Sequence, residues 1–113
     1  MRVMIGGLIA GPANGATGQM LVRAIGPSLS AFGVPGALQD PSLELRDVNG
    51  GVLAANDDWR DSQQTAIEAT QLAPSHPKEA AILAPLAPGS YTAIVRGAGN
   101  TTGVGLVEVY NLQ

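Results

Sequence analysis

Two strand-like runs near the end of the chain, residues 91–96 and 104–110, constrain the fold more than any other part of the sequence. Both runs are rich in valine, isoleucine, threonine and tyrosine, whose side chains suit a pleated sheet. A Pro-Gly pair precedes the first run, and a glycine-rich stretch at residues 97–100 separates it from the second. Glycine and asparagine adopt the positive φ angles that tight turns need, so the pattern predicts an antiparallel hairpin.

Further short apolar runs, each bounded by turn residues, predict additional strands. They cover residues 3–10, 20–25, 42–47, 52–55 and 80–84, and a glycine-rich loop is expected at residues 11–18. Short strands with turn signals about every 8–12 residues are typical of a β-sandwich or jelly roll. We therefore expect one all-β antiparallel sandwich module over residues 1–113, with roughly six to eight strands and one or two short helical turns.

Two helical turns are predicted between the strands. Ser28 follows Gly-Pro and is expected to cap a short turn that runs through Phe32 and ends at Gly33. Residues 62–72 have apolar side chains at positions 66, 67, 69 and 72, which favours a short or distorted helix.

The Asn-Gly pair at positions 49–50 predicts a tight hairpin turn of type I′ between the third and fourth strands. With this turn, Leu43 lies opposite Asn56 and Asp47 lies opposite Val52. The tip of the hairpin and its exit loop are then at opposite ends, so their acidic residues cannot form one site.

Composition excludes several classes of function. The net charge is −3 with only one lysine, so no basic stripe is available for a nucleic-acid backbone, and no basic amphipathic helix suggests a membrane surface. The chain has no cysteine, which excludes disulfides, thiolate catalysis and cysteine zinc sites. The low lysine content favours an extracellular or cell-surface protein.

The first residues, MRVMIGGLIAG, allow two interpretations. One arginine precedes a run of about eight apolar residues, which is near the short limit for a secretion signal and far below the roughly 20 that span a bilayer. The paired glycines also suit a strand with a bulge or a close backbone approach, and we favour the strand.

An acidic loop after the fourth strand, NDDWRD, is the clearest candidate for a metal site. Asn56, Asp57, Asp58 and Asp61 offer oxygen ligands of the kind that calcium prefers, although calcium takes about six to eight of them. The spacing does not match an EF-hand loop. The alternative is a solvated loop whose side chains cap turns.

Each of the other candidate residues has a functional and a structural interpretation. Trp59 and Asn56 are a candidate sugar-binding pair, because an indole ring can stack on a sugar, but a lone tryptophan also suits a core. Arg23, inside an apolar strand, suggests either anion binding or an internal ion pair. His76 and Ser28 lack the spacing of a catalytic base and nucleophile. We expect a non-catalytic protein.

Six stretches carry a resemblance that covers nearly the whole chain: VMIGGLIAG from residue 3, LVRAIGPSLSAFGV from residue 21, DPSLELRD from residue 40, NDDWRDSQQ from residue 56, LAPGSYTAIVRG from residue 86 and NTTGVGLVEVYNL from residue 100. Together they resemble a module of large, secreted, often repetitive proteins of environmental bacteria. That module has no named activity, so the resemblance implies no catalytic residue.

The second half of the chain is also similar to the bacterial pre-peptidase C-terminal domain. The similarity lies in the Asp-Asp-Trp motif at residues 57–59 and in the L-x-P-G-x-Y pattern at residues 86–91. It implies a small β-sandwich with a binding or accessory role, in some cases with calcium.

Modules of the first type usually have another strand before VMIGGLI, and its absence would leave an unpaired sheet edge. Such an edge could accept a strand from another copy or from a neighbouring module. This favours an extracellular structural or adhesive module that self-associates into a fibre or surface assembly. The alternative is a carbohydrate-binding accessory module, with or without calcium.

Overall fold

Within the residues that this computed structural model describes, 3–10, 18–100 and 103–112, seven strands form two antiparallel sheets that face each other. The strands are β1 (Val3–Ala10), β2 (Gly18–Ile25), β3 (Pro41–Arg46), β4 (Val52–Asn56), β5 (Ala80–Leu86), β6 (Gly89–Gly97) and β7 (Leu106–Asn111). The larger sheet has the order β1-β6-β3-β4 and the smaller sheet has the order β5-β2-β7. The predicted all-β sandwich class is confirmed. The predicted loop at 11–18 lies, as far as residue 17, outside the described residues.

The core between the sheets consists mainly of small aliphatic side chains. Val22 and Ile82 of the smaller sheet pack against Leu43, Leu45 and Val95 of the larger one, and all five are buried. Because these side chains alternate with outward-facing ones along each strand, the period-2 pattern of the sequence determines which face is buried.

The outer face of the larger sheet is polar. Glu44 Oε1 accepts hydrogen bonds from Arg46 Nη2 at 2.8 Å on the same strand and from Arg96 Nη1 at 3.0 Å on the neighbouring strand. These hydrogen bonds, from Arg46 first and then Arg96, hold the pKa of Glu44 below its ordinary value. The alternation predicted for β3 is therefore confirmed.

The outer face of the smaller sheet is partly covered by the segment that connects β4 to β5. This segment contains a 3-10 helix (Trp59–Asp61) and the helix α1 (Gln64–Ala69). Trp59 and Ile67 pack against Leu21 and Ala81 in a second apolar cluster. The helix is shorter than the predicted 62–72 because Gln71 takes a positive φ of 62° and turns the chain away.

The predicted closing hairpin is wrong, because β6 belongs to the larger sheet and β7 to the smaller one. The connection is anchored to another part of the chain: Leu38 N donates to Val104 O at 2.7 Å, and Val104 N donates to Gly36 O at 2.8 Å. Gly103 approaches this segment so closely that a Cβ atom there would lie 2.8 Å from Leu38 N. The glycines therefore serve a crossing between sheets.

The β3–β4 turn also differs from its prediction. Only the glycine of the Asn-Gly pair has a positive φ, 86° at Gly50, whereas type I′ needs both residues there. Asp47 Oδ1 accepts the backbone N–H groups of Asn49 and Gly51, both at 2.9 Å, and holds the turn. Leu43 lies opposite Asn56 as predicted, but a register shift places Arg46, and not Asp47, opposite Val52.

The short helix after β2 is a 3-10 helix, Pro27–Phe32, and Gly33 ends it with a φ of 81°. Its cap position is Gly26, where no side chain caps the helix, so the predicted capping role of Ser28 is wrong. A Cβ atom at Gly26 would lie 2.0 Å from Leu38 O, which explains the glycine. The Ser28 hydroxyl is used elsewhere, as described below.

Candidate functional site

Three carboxylates converge at one end of the sandwich. The ligand atoms of Asp40, Asp57 and Asp58 lie within 4.8 Å of one another. Asp40 precedes β3, and the other two follow β4. Because Leu43 pairs with Asn56, the start of β3 and the end of β4 are neighbours, and the three side chains meet there.

The acidic residues raise one another's pKa values. The pKa of Asp57 is raised to about 6, first by burial, then by a hydrogen bond with Asp40 and by the charges of Asp40, Asp58 and Asp61. Burial also raises the pKa of Asp58, and Asp40 and Asp61 add to this effect. The cluster therefore carries repulsion that a proton or a cation would relieve.

Two oxygens of the cluster are buried without a hydrogen-bond donor. Asp40 Oδ1 and Asp58 Oδ1 have no partner among the residues that the structure describes. An unsatisfied buried carboxylate oxygen is costly, and hard cations such as calcium bind such oxygens together with carbonyls and water. The arrangement thus offers ligands for a divalent cation.

The cluster overlaps only in part with the predicted calcium ligands Asn56, Asp57, Asp58 and Asp61. Asp57 and Asp58 belong to it, whereas Asp61 is outside the three and Asp40 takes its place. The amide of Asn56 is already used, because Nδ2 donates to Asp58 O and Oδ1 accepts from Ala81 N, each at 3.0 Å. Asn56 therefore positions the loop and does not offer a free ligand.

Trp59 does not fit the predicted sugar platform. Its side chain is only 3% exposed and packs against Leu21, Ile67 and Ala81. The Arg60 guanidinium lies 5.2 Å from the centre of the indole ring. Since a stacking sugar needs an open aromatic face, the structure gives Trp59 a packing role, and the carbohydrate-binding interpretation that was centred on Trp59 and Asn56 loses its geometric basis.

A buried carboxylate, Glu79, is the main functional group that the sequence analysis missed. Its side chain is fully buried and accepts four hydrogen bonds. Oε2 accepts from Gly26 N and Ser28 N, both at 2.9 Å, and Oε1 accepts from Ser28 Oγ at 2.6 Å and His76 N at 3.2 Å. Glu79 thus ties the 3-10 helix after β2 to the loop before β5.

The same bonds account for Ser28 and His76. Ser28 Oγ lies 2.7 Å from Ser75 Oγ as well as donating to Glu79, so its hydroxyl belongs to a structural network. His76 meets Glu79 only through its backbone N–H, and its ring Nδ1 accepts from Lys78 N at 3.1 Å. This geometry does not place the imidazole as a base for the hydroxyl.

Arg23 is an internally bonded arginine. Its guanidinium forms an ion pair with Glu108 and donates to Tyr110 Oη at 2.9 Å and to Leu72 O at 3.0 Å. The geometry favours the ion-pair interpretation over anion binding, because a carboxylate already faces the cation. A half-open cavity of about 430 Å³ adjoins this pair and is lined mainly by apolar residues, including Ile25, Phe32 and Leu106.

The outer edge of β5 is covered by side chains. Its residues 81, 83 and 85 direct their backbone groups away from β2. Asn56 accepts from Ala81 N at 3.0 Å, and the Gln63 amide both accepts from Leu83 N at 3.0 Å and donates to Leu83 O at 2.8 Å. Pro85 has no N–H to offer. This edge is therefore closed to another strand.

The opposite side of the sandwich carries the edges β1 and β7. Because β5 faces β3 and β4, and β2 faces β3, β7 lies on the side of β6, and β1 lies beyond β6. Among the described residues no strand pairs with the outer edge of β1 or of β7. β1 has eight residues without a proline or a charge, and Val109 of β7 is 39% exposed.

Comparison of the chain with protein-family models, with curated proteins and with solved structures finds no match in any of the three. In the part of the chain that the structure describes, no helix is both long and apolar enough to cross a membrane.

We predict that Glu79→Gln destabilises the fold by about 2 to 3 kcal/mol. In one orientation the glutamine NH₂ group faces the backbone N–H groups of Gly26 and Ser28, and in the other it faces His76 N–H and forces the Ser28 hydroxyl to turn. Urea unfolding monitored by circular dichroism measures the loss. Glu68→Gln, on the exposed face of α1, is the matched control and should change the free energy by less than about 0.5 kcal/mol. Equal stability of the two variants would contradict the role assigned to Glu79.

We predict that the stability of the metal-free protein falls as the pH rises from about 4 through about 6. The folded-state pKa of Asp57 lies above its unfolded value of 3.8, so the proton binds more tightly to the folded state and its stabilisation is lost on deprotonation. Asp57→Asn should flatten this part of the stability–pH curve, measured by urea unfolding in the presence of EDTA. An unchanged slope in the variant would contradict the assignment.

Proposed function

We propose that this chain is a non-catalytic, extracellular β-sandwich module that associates with copies of itself through the open edges of its sheets. Its role would be structural or adhesive. One observation carries the proposal: the strand edges on the two sides of the sandwich differ in what covers them. β5 is covered by Asn56, Gln63 and Pro85, whereas among the described residues no strand pairs with the outer edges of β1 and β7.

The contrast matters because an open edge presents unpaired N–H and C=O groups that another strand can bind. On the covered side, β4 is short, with five residues, and its pairing with β3 is interrupted by a register shift. Both features disfavour the addition of a strand. On the open side, β1 pairs with β6 over eight consecutive residues without a shift, and its outer edge has the same length.

The interior of the molecule is consistent with a structural role. Among the described residues, its two buried polar side chains serve contacts within the chain: Glu79 binds the 3-10 helix, and Asn56 binds the loop after β4 and the edge of β5. Such groups stabilise the sandwich and leave the edges as the surface where a partner of the same kind can add backbone hydrogen bonds.

We predict that the protein forms species above its monomer mass of 11.4 kDa and that Val109→Lys weakens this association by about tenfold or more. A lysine on the edge of β7 would have to lose water when another strand pairs there. Size-exclusion chromatography with light scattering, over a range of concentrations, measures the association.

The matched control is Val52→Lys on β4, the edge on the covered side. Val52 is 55% exposed, so the substitution is as well tolerated there as at Val109. Val52→Lys should associate like the unmodified chain. A monomer at every concentration for the unmodified chain, or an equal effect of both lysines, would argue against the proposal.

A second candidate function is binding of a divalent cation by Asp40, Asp57 and Asp58. The observation that favours it is the pair of buried oxygens, Asp40 Oδ1 and Asp58 Oδ1, which have no donor among the described residues. A cation would compensate both oxygens and remove the repulsion that raises the pKa of Asp57. Calcium suits this all-oxygen set, with carbonyls and water completing the coordination.

We predict that millimolar calcium raises the melting temperature at pH 7.5 and has little effect at pH 5, where Asp57 is protonated. Calorimetric titration at both pH values gives the affinity. Asp58→Asn should abolish the effect, whereas Asp61→Asn should retain most of it, because Asp61 is not one of the three converging carboxylates. The same melting temperature with calcium and with EDTA at pH 7.5 would rule the site out.

A further inference from the structure

We propose that the half-open cavity beside Arg23 binds a small organic ammonium ion that carries an apolar group, such as an arylalkyl ammonium. This inference goes beyond the proposed structural role, and it depends neither on self-association nor on cation binding by the acidic cluster. It follows from the shape of the cavity, from the direction of the hydrogen bonds in its polar wall and from the charges around it.

The floor of the cavity consists of two cross-strand pairs on the outer face of the smaller sheet. Arg23 of β2 pairs with Glu108 of β7, and Ile25 pairs with Leu106. These four side chains point outward, because Ala24, which lies between Arg23 and Ile25, belongs to the core between the sheets. The floor therefore has one charged half and one apolar half.

The walls of the cavity are two segments that Glu79 ties together. The 3-10 helix after β2 contributes Ser28, Leu29 and Phe32, and the loop before β5 contributes Ser75. The cavity has a volume of about 430 Å³, within the range of about 300–1,000 Å³ that is typical of small-molecule sites. Because the Glu79 carboxylate accepts hydrogen bonds from both segments, the walls are fixed before any ligand binds.

The hydrogen bonds in the polar wall run in one direction, towards the buried carboxylate. Glu79 Oε1 accepts the proton of Ser28 Oγ at 2.6 Å, since an ionised carboxylate can only accept. Ser28 Oγ therefore accepts from Ser75 Oγ, and the two oxygens lie 2.7 Å apart. Because the proton of Ser75 is used in this bond, its hydroxyl offers the cavity lone pairs. The wall thus presents a hydrogen-bond acceptor to a ligand.

The floor presents a second acceptor, the Oε2 atom of Glu108. Arg23 donates from Nε and from Nη2 to the other oxygen, Oε1, and no residue that the structure describes donates to Oε2. Further guanidinium N–H groups of Arg23 are used by Leu72 O and Tyr110 Oη. An ammonium group has N–H donors and no acceptor, so it matches both the Ser75 hydroxyl and the Glu108 carboxylate.

The charges around the cavity also favour a cation. Glu79 and Glu108 contribute two negative charges, whereas Arg23 contributes one positive charge that already faces Glu108. An anionic ligand at Arg23 would be repelled by both carboxylates. Phe32 lines the cavity but is 82% exposed, so its ring is open to a ligand, and the face of an aromatic ring attracts an ammonium ion. The apolar group of the ligand would lie on Ile25.

An NMR titration of the full chain with three probes of similar shape tests the preference for a cation. The probes are phenethylammonium, phenethyl alcohol and phenylacetate, which carry a positive, a neutral and a negative group on the same apolar body. At about pH 7 we expect phenethylammonium to bind with a Kd of about 1 mM, and about tenfold or more tightly than the other two. The largest amide shift changes should occur at Leu29, Phe32 and Leu106.

Two exposed residues of the cavity can be changed without disturbing the core. Ser75→Ala removes the acceptor in the wall and should weaken the binding of phenethylammonium about tenfold, and Phe32→Ala should weaken it about threefold. Ser30→Ala, on the same 3-10 helix but outside the cavity, and Val48→Ala, at a distant exposed position, are the matched controls. Both controls should bind the probe like the unmodified chain.

Equal binding of the three probes, or tighter binding of phenylacetate, would overturn the proposal, because the cavity would then have no preference for a cation. Amide shift changes confined to Asp57 and Asp58 would place the ammonium at the acidic cluster and would overturn it too. The same holds for no binding at about 10 mM, ten times the expected Kd, and for equal effects of Ser75→Ala and Ser30→Ala. None of these outcomes bears on self-association, which light scattering measures.

Discussion

The buried carboxylate of Glu79 is the contact on which the end of the sandwich depends. It holds Gly26 and Ser28 at the exit of β2, and its backbone carbonyl accepts from Trp59 N at 2.9 Å. One residue thereby joins the 3-10 helix, the loop before β5 and the segment that covers the smaller sheet. A buried carboxylate is stable only when donors satisfy it, so the 3-10 helix and the loop before β5 depend on each other. The acidic cluster lies at the same end, and the bond from Trp59 N to Glu79 O holds the loop that carries Asp57 and Asp58.

The sequence predicts the strands well because their signal is local, whereas the connections depend on distant contacts. Alternation along β3 correctly gives Leu43 and Leu45 as core residues and Glu44 as an outward one. The predicted closing hairpin is wrong because strands that are close in sequence usually pair with each other. Nothing in the local sequence shows that Val104 bonds to Leu38 instead. Glu79 could not be found for the same reason: a single glutamate before an apolar run has no periodic signal, and only the fold places its donors around it.

The acidic cluster shows how a correct register could have been used further. The predicted pairing of Leu43 with Asn56 is confirmed, and it already places the residues before β3 beside those after β4. Asp40 lies just before β3, so it could have been included with Asp57 and Asp58 from that register alone. Neighbours along the chain alone give Asp61 in place of Asp40. Residues brought together by strand pairing are a better guide to a site than residues adjacent in sequence.

The proposed cation binding and the proposed self-association would act on different parts of this molecule. The carboxylates lie where β3 begins and β4 ends, whereas the open edges run along β1 and β7 on the other side of β6. A ligand at one site changes the affinity of a second site only if that ligand binds with different affinity to the free and the occupied states of the second site. The cluster has no described contact with β1 or β7, and the loop that carries Asp57 is fixed by Asn56, which also covers β5. Calcium would therefore stabilise the covered side of the sandwich without changing how strongly the open side binds another copy.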